Sequence, residues 1–169
     1  VRDLSRETGK KIELKISGEA TELDKSVIEE IGDPLVHVIR NSCDHGLEPP
    51  DERLAAGKSE TGTVWLSASQ EGSNIVIKIQ DDGRGLDAER IAAKALERGI
   101  TTQGELDRMS RQDIYKFIFE AGLSTAKKIT GISGRGVGMD VVRSNIEKLN
   151  GLIEIDSDKG VGTTLTIKL

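Results

Sequence analysis

Leu35-Val36-His37-Val38-Ile39-Arg40-Asn41-Ser42-Cys43-Asp44-His45, closed by Gly46, is the stretch from which the fold and the site are read. Taken as a helix with about 100° between successive residues, it sorts into two faces. With His37 at zero, Asn41 falls at about 40°, His45 at about 80°, Asp44 at about 340° and Arg40 at about 300°. Leu35, Val38, Ile39, Ser42 and Cys43 occupy the opposite arc. A helix face that only meets water is usually built of Lys and Glu. This one gathers both histidines of the chain, an Asn, an Asp and an Arg, which favours a site over a solvated surface. A single metal ion does not suit the two histidines, which stand about 12 Å apart along the helix axis. Asn41 is the better metal partner, for magnesium, because hard cations take oxygen ligands.

Outward from this helix, Lys11–Ser17 alternates Ile12, Leu14 and Ile16 and reads as a strand. Asp24 is placed to cap a helix through Ile28 and Ile31, which Asp33-Pro34 restarts or kinks and Gly46 stops. After Glu48-Pro49-Pro50, residues 51–57 suit a short helix. Residues 63–69 and 74–80 read as two strands, with Ile75, Ile77 and Ile79 on one buried face. Asp87 caps a helix to about Arg98, closed by Gly99. Ser110 starts another, through Ile114, Phe117 and Ile118. Residues 121–135 are rich in Gly, Ser, Thr and Lys and read as a mobile segment. A helix over 137–150 and a hairpin of 152–156 with 163–169 complete the chain. Mixed strands and helices with hairpins predict an α+β fold, a two-layer sandwich with helices on one face of a mixed sheet.

Composition limits what this fold can do. The chain of 169 residues suits one domain, over 1–169. With 36% hydrophobic and 31% charged residues it is globular rather than disordered. Aromatics make up only 2%, so Ile, Leu and Val must build the core and base stacking is a poor binding mode. A net charge of −5 argues against a nucleic-acid partner. The single cysteine, Cys43, excludes an internal disulfide and a multi-cysteine zinc site. No signal peptide or long apolar run is present, so no membrane insertion and a cytoplasmic location are expected. The abrupt start on a charged stretch reads as a domain excised from a longer multidomain protein.

Two glycine clusters follow the polar helix. The strand over 74–80 runs into Asp81-Asp82-Gly83-Arg84-Gly85. Asp and Gly are common in tight turns, but this turn leaves a core strand, so Asp81 sits at the edge of the buried region. Gly83 and Gly85 let a flat ligand approach the backbone closely. A buried carboxylate needs a donor, and the exocyclic amine of adenine is one. Guanine would present a carbonyl there and be repelled. The second cluster, Ser133-Gly134-Arg135-Gly136-Val137-Gly138-Met139-Asp140, stands before a helix, where backbone N–H groups and the helix dipole cradle phosphate. It is not a dinucleotide-binding fingerprint, because Met139 stands where the last Gly belongs and no strand leads into it.

In this order the motifs are recognisable. The sequence resembles the ATP-binding fold shared by DNA gyrase, the Hsp90 chaperones, histidine kinases and the MutL repair proteins. It is most similar to the catalytic domains of CheA-type chemotaxis histidine kinases. The residues that carry the resemblance are 37–46, 81–85 and 133–142, with Gly32-Asp33-Pro34 and the closing Ser157, Gly160, Gly162 and Thr163. The resemblance implies a fold of the Bergerat type with a mobile ATP lid. It implies ATP and Mg2+ as cofactors, with Asn41 as the metal ligand and Asp81 on the adenine amine. Gly134, Gly136 and Gly138, with Ser133, Arg135, Val137 and Met139, would wrap the phosphates. His37 would take part in phosphate transfer, as a base or as a phosphate contact. Arg40, Asp44, His45 and Lys94 would lie on the phosphate side, and Gly83 and Gly85 beside the base. Ala121 and Leu123 stand where these kinases usually carry Pro and Phe.

The implied reaction is transfer of the γ-phosphate to a histidine on a separate phosphotransfer domain of the same full-length kinase, in two-component chemotaxis signalling. Chemoreceptors, a coupling protein and response regulators would act through other domains, and this domain alone would be a monomer. Two alternatives stay open: an ATP-hydrolysing clamp of the gyrase or Hsp90 type, against which His37 argues, and a non-catalytic nucleotide-binding module.

Overall fold

The computed structural model describes residues 2–18, 25–121, 123 and 138–169, with side chains from residue 5 onward. Helix α1 (Arg2–Thr8) leads into β1 (Lys11–Ser17), and α2 (Lys25–Asn41) runs into a π-helical turn, Ser42–Gly46. Next come α3 (Pro50–Ala55), β2 (Thr61–Glu71) and β3 (Asn74–Asp81). Helices α4 (Ala88–Glu97), α5 (Gln103–Leu106) and α6 (Arg111–Tyr115) follow, the last tightening into a 3-10 turn, Lys116–Phe119. Helix α7 (Met139–Lys148) and the hairpin of β4 (Leu152–Asp158) and β5 (Gly162–Lys168) close the described chain.

The five strands form one sheet in the order β1-β2-β3-β5-β4. β1 lies parallel to β2, and the other pairs are antiparallel. Register stacks apolar residues in rows across it. Leu66, Ile79, Leu165 and Ile155 form one row, and Ala68, Ile77, Ile167 and Ile153 the next. Side chains alternate between faces with period two, so Asp81 shares the face of Ile77 and Ile79. Its own row is Leu14, Val64, Asp81, Thr163 and Ser157. A carboxylate therefore stands between Val64 and Thr163.

The helices supply Val38, Cys43, Ala95 and Val142 against the first row, and Ile31 and Ile146 against the second. Each fully buried aliphatic side chain contributes about 1.5–3 kcal/mol, and Ile, Leu and Val carry most of this core, as the lack of aromatics requires. The α+β class and the mixed sheet agree with the reading of the sequence. The helix does not restart at Pro34: α2 is one helix, and Pro34 is buried inside it. Asp24, expected as its cap, lies outside the described residues. Gly99 closes α4 with φ +70, and Asn150 follows α7 with φ 58. α5 was not foreseen; its four residues are too few for a periodic signal, and Thr102 caps it by accepting from the Glu105 amide. The expected lid segment falls almost wholly outside the described residues. Among the described residues, no helix is long and apolar enough to cross a membrane.

Candidate functional site

The polar helix ends in a way its sequence does not announce. After Asn41 the backbone widens to i→i+5 bonding, and the Leu47 amide donates to Ser42 O at 2.8 Å. π-turns inside helices are rare and concentrate at functional sites. Lys10 holds this one, donating through Nζ to Cys43 O at 2.9 Å and Asp44 O at 2.6 Å. Cys43 is wholly buried, and burial pushes its thiol pKa up, so it packs as an inert core residue.

The last α-helical turn carries His37 and Asn41 at i, i+4. Asn41 Nδ2 donates to His37 Nε2 at 3.3 Å and to Met139 Sδ, on α7, at 3.2 Å. An amide NH2 has no acceptor, so Nε2 must accept and the imidazole is neutral, with its proton on Nδ1. Burial, and after it the charge of Arg40, hold the His37 pKa below its ordinary value, in keeping with that tautomer. With both amide hydrogens engaged, Asn41 Oδ1 is left as a fixed oxygen acceptor. That is the donor type a magnesium ion takes, with its other ligands drawn from phosphate and water.

Asp81 is 5% exposed. Burial pushes its carboxyl pKa up, against the opposing hydrogen bonds of the Gly83 amide, the Ser42 hydroxyl and the Thr163 amide. The Gly83 N–H reaches Asp81 Oδ1 at 2.9 Å. Gly46 and Gly83 are glycine because two chain segments meet here. A Cβ on Gly83 would sit 2.0 Å from Gly46 O, and one on Gly46 would sit 3.1 Å from Asp81 Oδ2. The helix stops at Gly46, as expected, but the φ of Gly46 is not positive, and close approach is the reason for glycine there. Gly85 needs both freedoms, with φ +71 and Asp158 O 2.2 Å from a Cβ position. Gly83→Ala is expected to cost about 3 kcal/mol by overpacking and to lower the melting temperature by roughly 6–12 °C. Thermal unfolding of the apo chain measures this, and a shift under about 2 °C would contradict the packing described.

These elements enclose a cleft of about 820 Å³, within the range of small-molecule sites. Of the residues expected at the site, His37, Asn41, His45, Asp81, Gly85, Lys94, Gly138 and Met139 line it. Arg40, Asp44 and Gly83 do not. Arg40 lies on the flank of α2, where its charge is felt by His37. Asp44 is turned by the π-register toward Lys10, whose Nζ meets its carbonyl. Gly83 packs on Gly46. Ser133, Gly134, Arg135, Gly136 and Val137 lie outside the described residues. Residues not foreseen also face the cleft. Arg90 stands one turn before Lys94 on α4, and the i, i+4 spacing of two cations was the signal. Ser42 and Thr163 flank Asp81. Ile79, Ile91, Leu123 and Ile155 give the floor its apolar character. Leu123, which replaces the expected Phe, is 6% exposed.

Residues 30–169 match the family of histidine kinase-, DNA gyrase B- and HSP90-like ATPases. The chain belongs to this family. Its ligand is accordingly ATP, and its sheet, with helices on one face, is the family's ATP-binding fold. The chain is 61% identical over all its 169 residues to the sensor histidine kinase CheAY of Helicobacter pylori, of which it covers 21%. It is 50% identical to the chemotaxis protein CheA of Bacillus subtilis and 52% to that of Klebsiella aerogenes, covering 25% and 26% of them. The chain thus spans about a quarter or less of these relatives. Two solved structures share the fold. The histidine kinase domain of the Erythrobacter litoralis blue-light-activated kinase superposes with a TM-score of 0.57 at 15% identity, over 99% of this chain and 59% of that one. Full-length ShkA in complex with AMPPNP does so with a TM-score of 0.57 at 18% identity, over 98% of this chain and 26% of that one.

Proposed function

We propose that this ATPase-family domain binds magnesium ATP in the cleft between α2, α4 and β3, and passes the γ-phosphate to a histidine on a separate phosphotransfer domain. The observation that carries the reading is the placing of Asp81 and Asn41 on one cleft, with an apolar floor between them. Asp81 accepts the adenine amine. Asn41 Oδ1 would hold the metal, which would supply neutralisation of phosphate charge when bound. Arg90 and Lys94 of α4, with His45, are the cationic and polar groups on the phosphate side. Such transfer depends mainly on positioning and electrostatic stabilisation. His37, neutral and accepting from Asn41, serves here to orient the amide. Its basic lone pair, on Nε2, is taken up by the Asn41 amide, which makes it a poor base in this state.

The sequence similarity to chemotaxis kinases along the whole chain supports the kinase reading over a hydrolysing clamp. So does the state of the carboxylates. Among the described cleft residues they are Asp81 and Asp87. Asp87 is occupied as the α4 cap, accepting from the amides of Glu89 and Arg90, and by Lys159 at 3.3 Å. Neither is free to activate a water beside Asn41. We place the domain, over 1–169, within a longer cytoplasmic kinase. Its other domains carry the phosphoacceptor histidine and meet chemoreceptors, a coupling protein and response regulators; alone it is a monomer.

The test mixes the chain with an isolated phosphoacceptor domain and γ-labelled ATP. Acid-labile label on the acceptor histidine is the expected result. Tight ATP binding with no label on the acceptor would leave a nucleotide-binding module and overturn the transfer reading.

A further inference from the structure

Behind the Asp81 turn lies a buried charged cluster, none of whose members lines the cleft. Arg53, on α3, is 1% exposed, and Glu48 is 8% exposed. Arg53 Nε donates to Ser59 O at 2.6 Å, one terminal nitrogen donates to Glu48 Oε1 and Asp82 O at 3.1 Å each, and the other pairs with the Asp82 carboxylate at 3.1 Å. Lys58 Nζ donates to Glu48 Oε2 at 2.8 Å, Asp82 O at 3.0 Å and Gly83 O at 2.7 Å. The remaining Asp82 oxygen accepts the Thr63 amide at 2.8 Å. Burial would raise the Glu48 pKa, but the Lys58 hydrogen bond and the charges of Lys58 and Arg53 hold it below the ordinary value.

Burying Arg53 and Glu48, with Lys58 and Asp82 partly buried beside them, is expensive unless each charge is paired and hydrogen-bonded. A plain hydrophobic plug would hold α3 to the sheet at less cost. What the cluster does that a plug cannot is grip backbone carbonyls. Asp82 O and the Gly83 N–H belong to one peptide unit, and a trans peptide is planar with its C=O and N–H opposed. Two cations on Asp82 O from behind therefore aim the Gly83 N–H forward, onto Asp81 Oδ1 at 2.9 Å. The cluster also sits on a segment joined to the cleft from the other side, where the Arg84 amide donates to Gly46 O at 2.8 Å.

We propose that Lys58, with Arg53 and Glu48, is a positioning set for base recognition, which fixes the Asp82–Gly83 peptide so that the Asp81 carboxylate is presented to the 6-amino group of the purine. This rests on the reading of Asp81 as the adenine acceptor. Lys58 is the member to change, because its side chain is 17% exposed and its loss leaves Glu48 still paired with Arg53. The measurement is calorimetric affinity for ATP and for purine riboside triphosphate, which lacks the 6-amino group. Lys58→Met should weaken ATP about tenfold while leaving the amine-free analogue within about twofold, so the preference between them collapses; a charge-assisted hydrogen bond lost from the carboxylate's support is of that size. Lys58→Arg should restore at least half of the preference. Equal weakening of both ligands would overturn the proposal and leave the cluster a support of the fold. Equal binding of the two ligands by the unchanged chain would overturn the Asp81 reading itself, and the positioning role with it. Amide exchange gives a second, independent readout. The Gly83 N–H should exchange at least tenfold faster in Lys58→Met, or in Lys58→Gln if the first variant does not fold, while Ile77 in the sheet keeps its protection. An unchanged Gly83 rate would equally sink the idea.

Discussion

Asp81→Asn is expected to give a chain that is more stable than the original and nearly unable to hold ATP. The two effects have one cause. Asp81 is buried in its sheet row between Val64 and Thr163, and burial raises its pKa. A group whose folded pKa is raised binds protons more readily in the folded than in the unfolded state. It favours folding below its unfolded pKa, and that contribution is lost as pH rises through the folded pKa. At neutral pH the ionised Asp81 therefore opposes folding, and a neutral isostere removes the opposition. A rise in melting temperature of roughly 2–4 °C follows for each kcal/mol relieved. The gain should shrink as the comparison is made at falling pH, because the unchanged chain then becomes protonated by itself. Binding moves the other way. Oδ1 already accepts the Gly83 N–H, so an Asn keeps its carbonyl on Gly83 and turns its NH2 toward the ligand. Two amino groups then face each other across the adenine edge. Losing a hydrogen bond to a charged acceptor costs about 1.5–3 kcal/mol, and the opposed donors add to that, so ATP affinity should fall by roughly 100-fold. Calorimetric titration with unfolding scans across pH measures both. A variant that bound ATP as the original does, or that was less stable at pH 7, would contradict the role given to Asp81.

What the sequence made legible follows from the range of the forces involved. Asp81 was readable because strand alternation is local: two residues on from Ile79, it had to face the core. His37 and Asn41 were readable because i, i+4 neighbours on a helix must meet. Asp44, which the same helical wheel set on the polar face, does not line the cleft. The wheel assumes one period throughout, and the change to π-bonding after Asn41 has no mark in the residues themselves. The device that holds the π-turn is Lys10, 33 residues from Cys43, beyond any local pattern. Arg53 and Lys58 are likewise joined to Asp82 only by the fold, at separations of 29 and 24 residues. Gly46 was read as a helix terminator and Gly83 as a glycine that lets a ligand approach the backbone. Their real constraint is each other's nearness, and that becomes visible only when β3 and the π-turn are set side by side. Local periodicity thus found groups that line the cleft, while the groups that hold them in place come from distant parts of the chain.

Asn41→Asp is expected to abolish magnesium-dependent nucleotide binding, although it places a formally better metal ligand in the same spot. The reason lies in the hydrogens the substitution removes. Asn41 donates to His37 Nε2 and Met139 Sδ, and a carboxylate donates to neither. Its second oxygen would face the lone pair of a neutral imidazole at about the 3.3 Å where the amide nitrogen now lies. Relief comes if His37 takes up a proton, so the His37 pKa should rise from its present lowered state to above that of an ordinary histidine. An ion pair then replaces an oriented amide, and the carboxylate turns toward the imidazolium and away from the metal position. The added negative charge also faces the triphosphate in a partly enclosed cleft, where like charges repel more strongly than in bulk water. Titration of ATP with and without magnesium should show a clear gain in affinity from the metal in the original chain and less than about a twofold gain in the variant, under 0.5 kcal/mol. The imidazole resonances of His37, followed by NMR across pH, should move their midpoint upward in Asn41→Asp and stay low in Asn41→Gln if the longer amide still reaches Nε2. Magnesium-dependent affinity retained in Asn41→Asp, or a His37 midpoint that did not move, would break the link drawn between the two residues and return His37 to the role of a base or a phosphate contact.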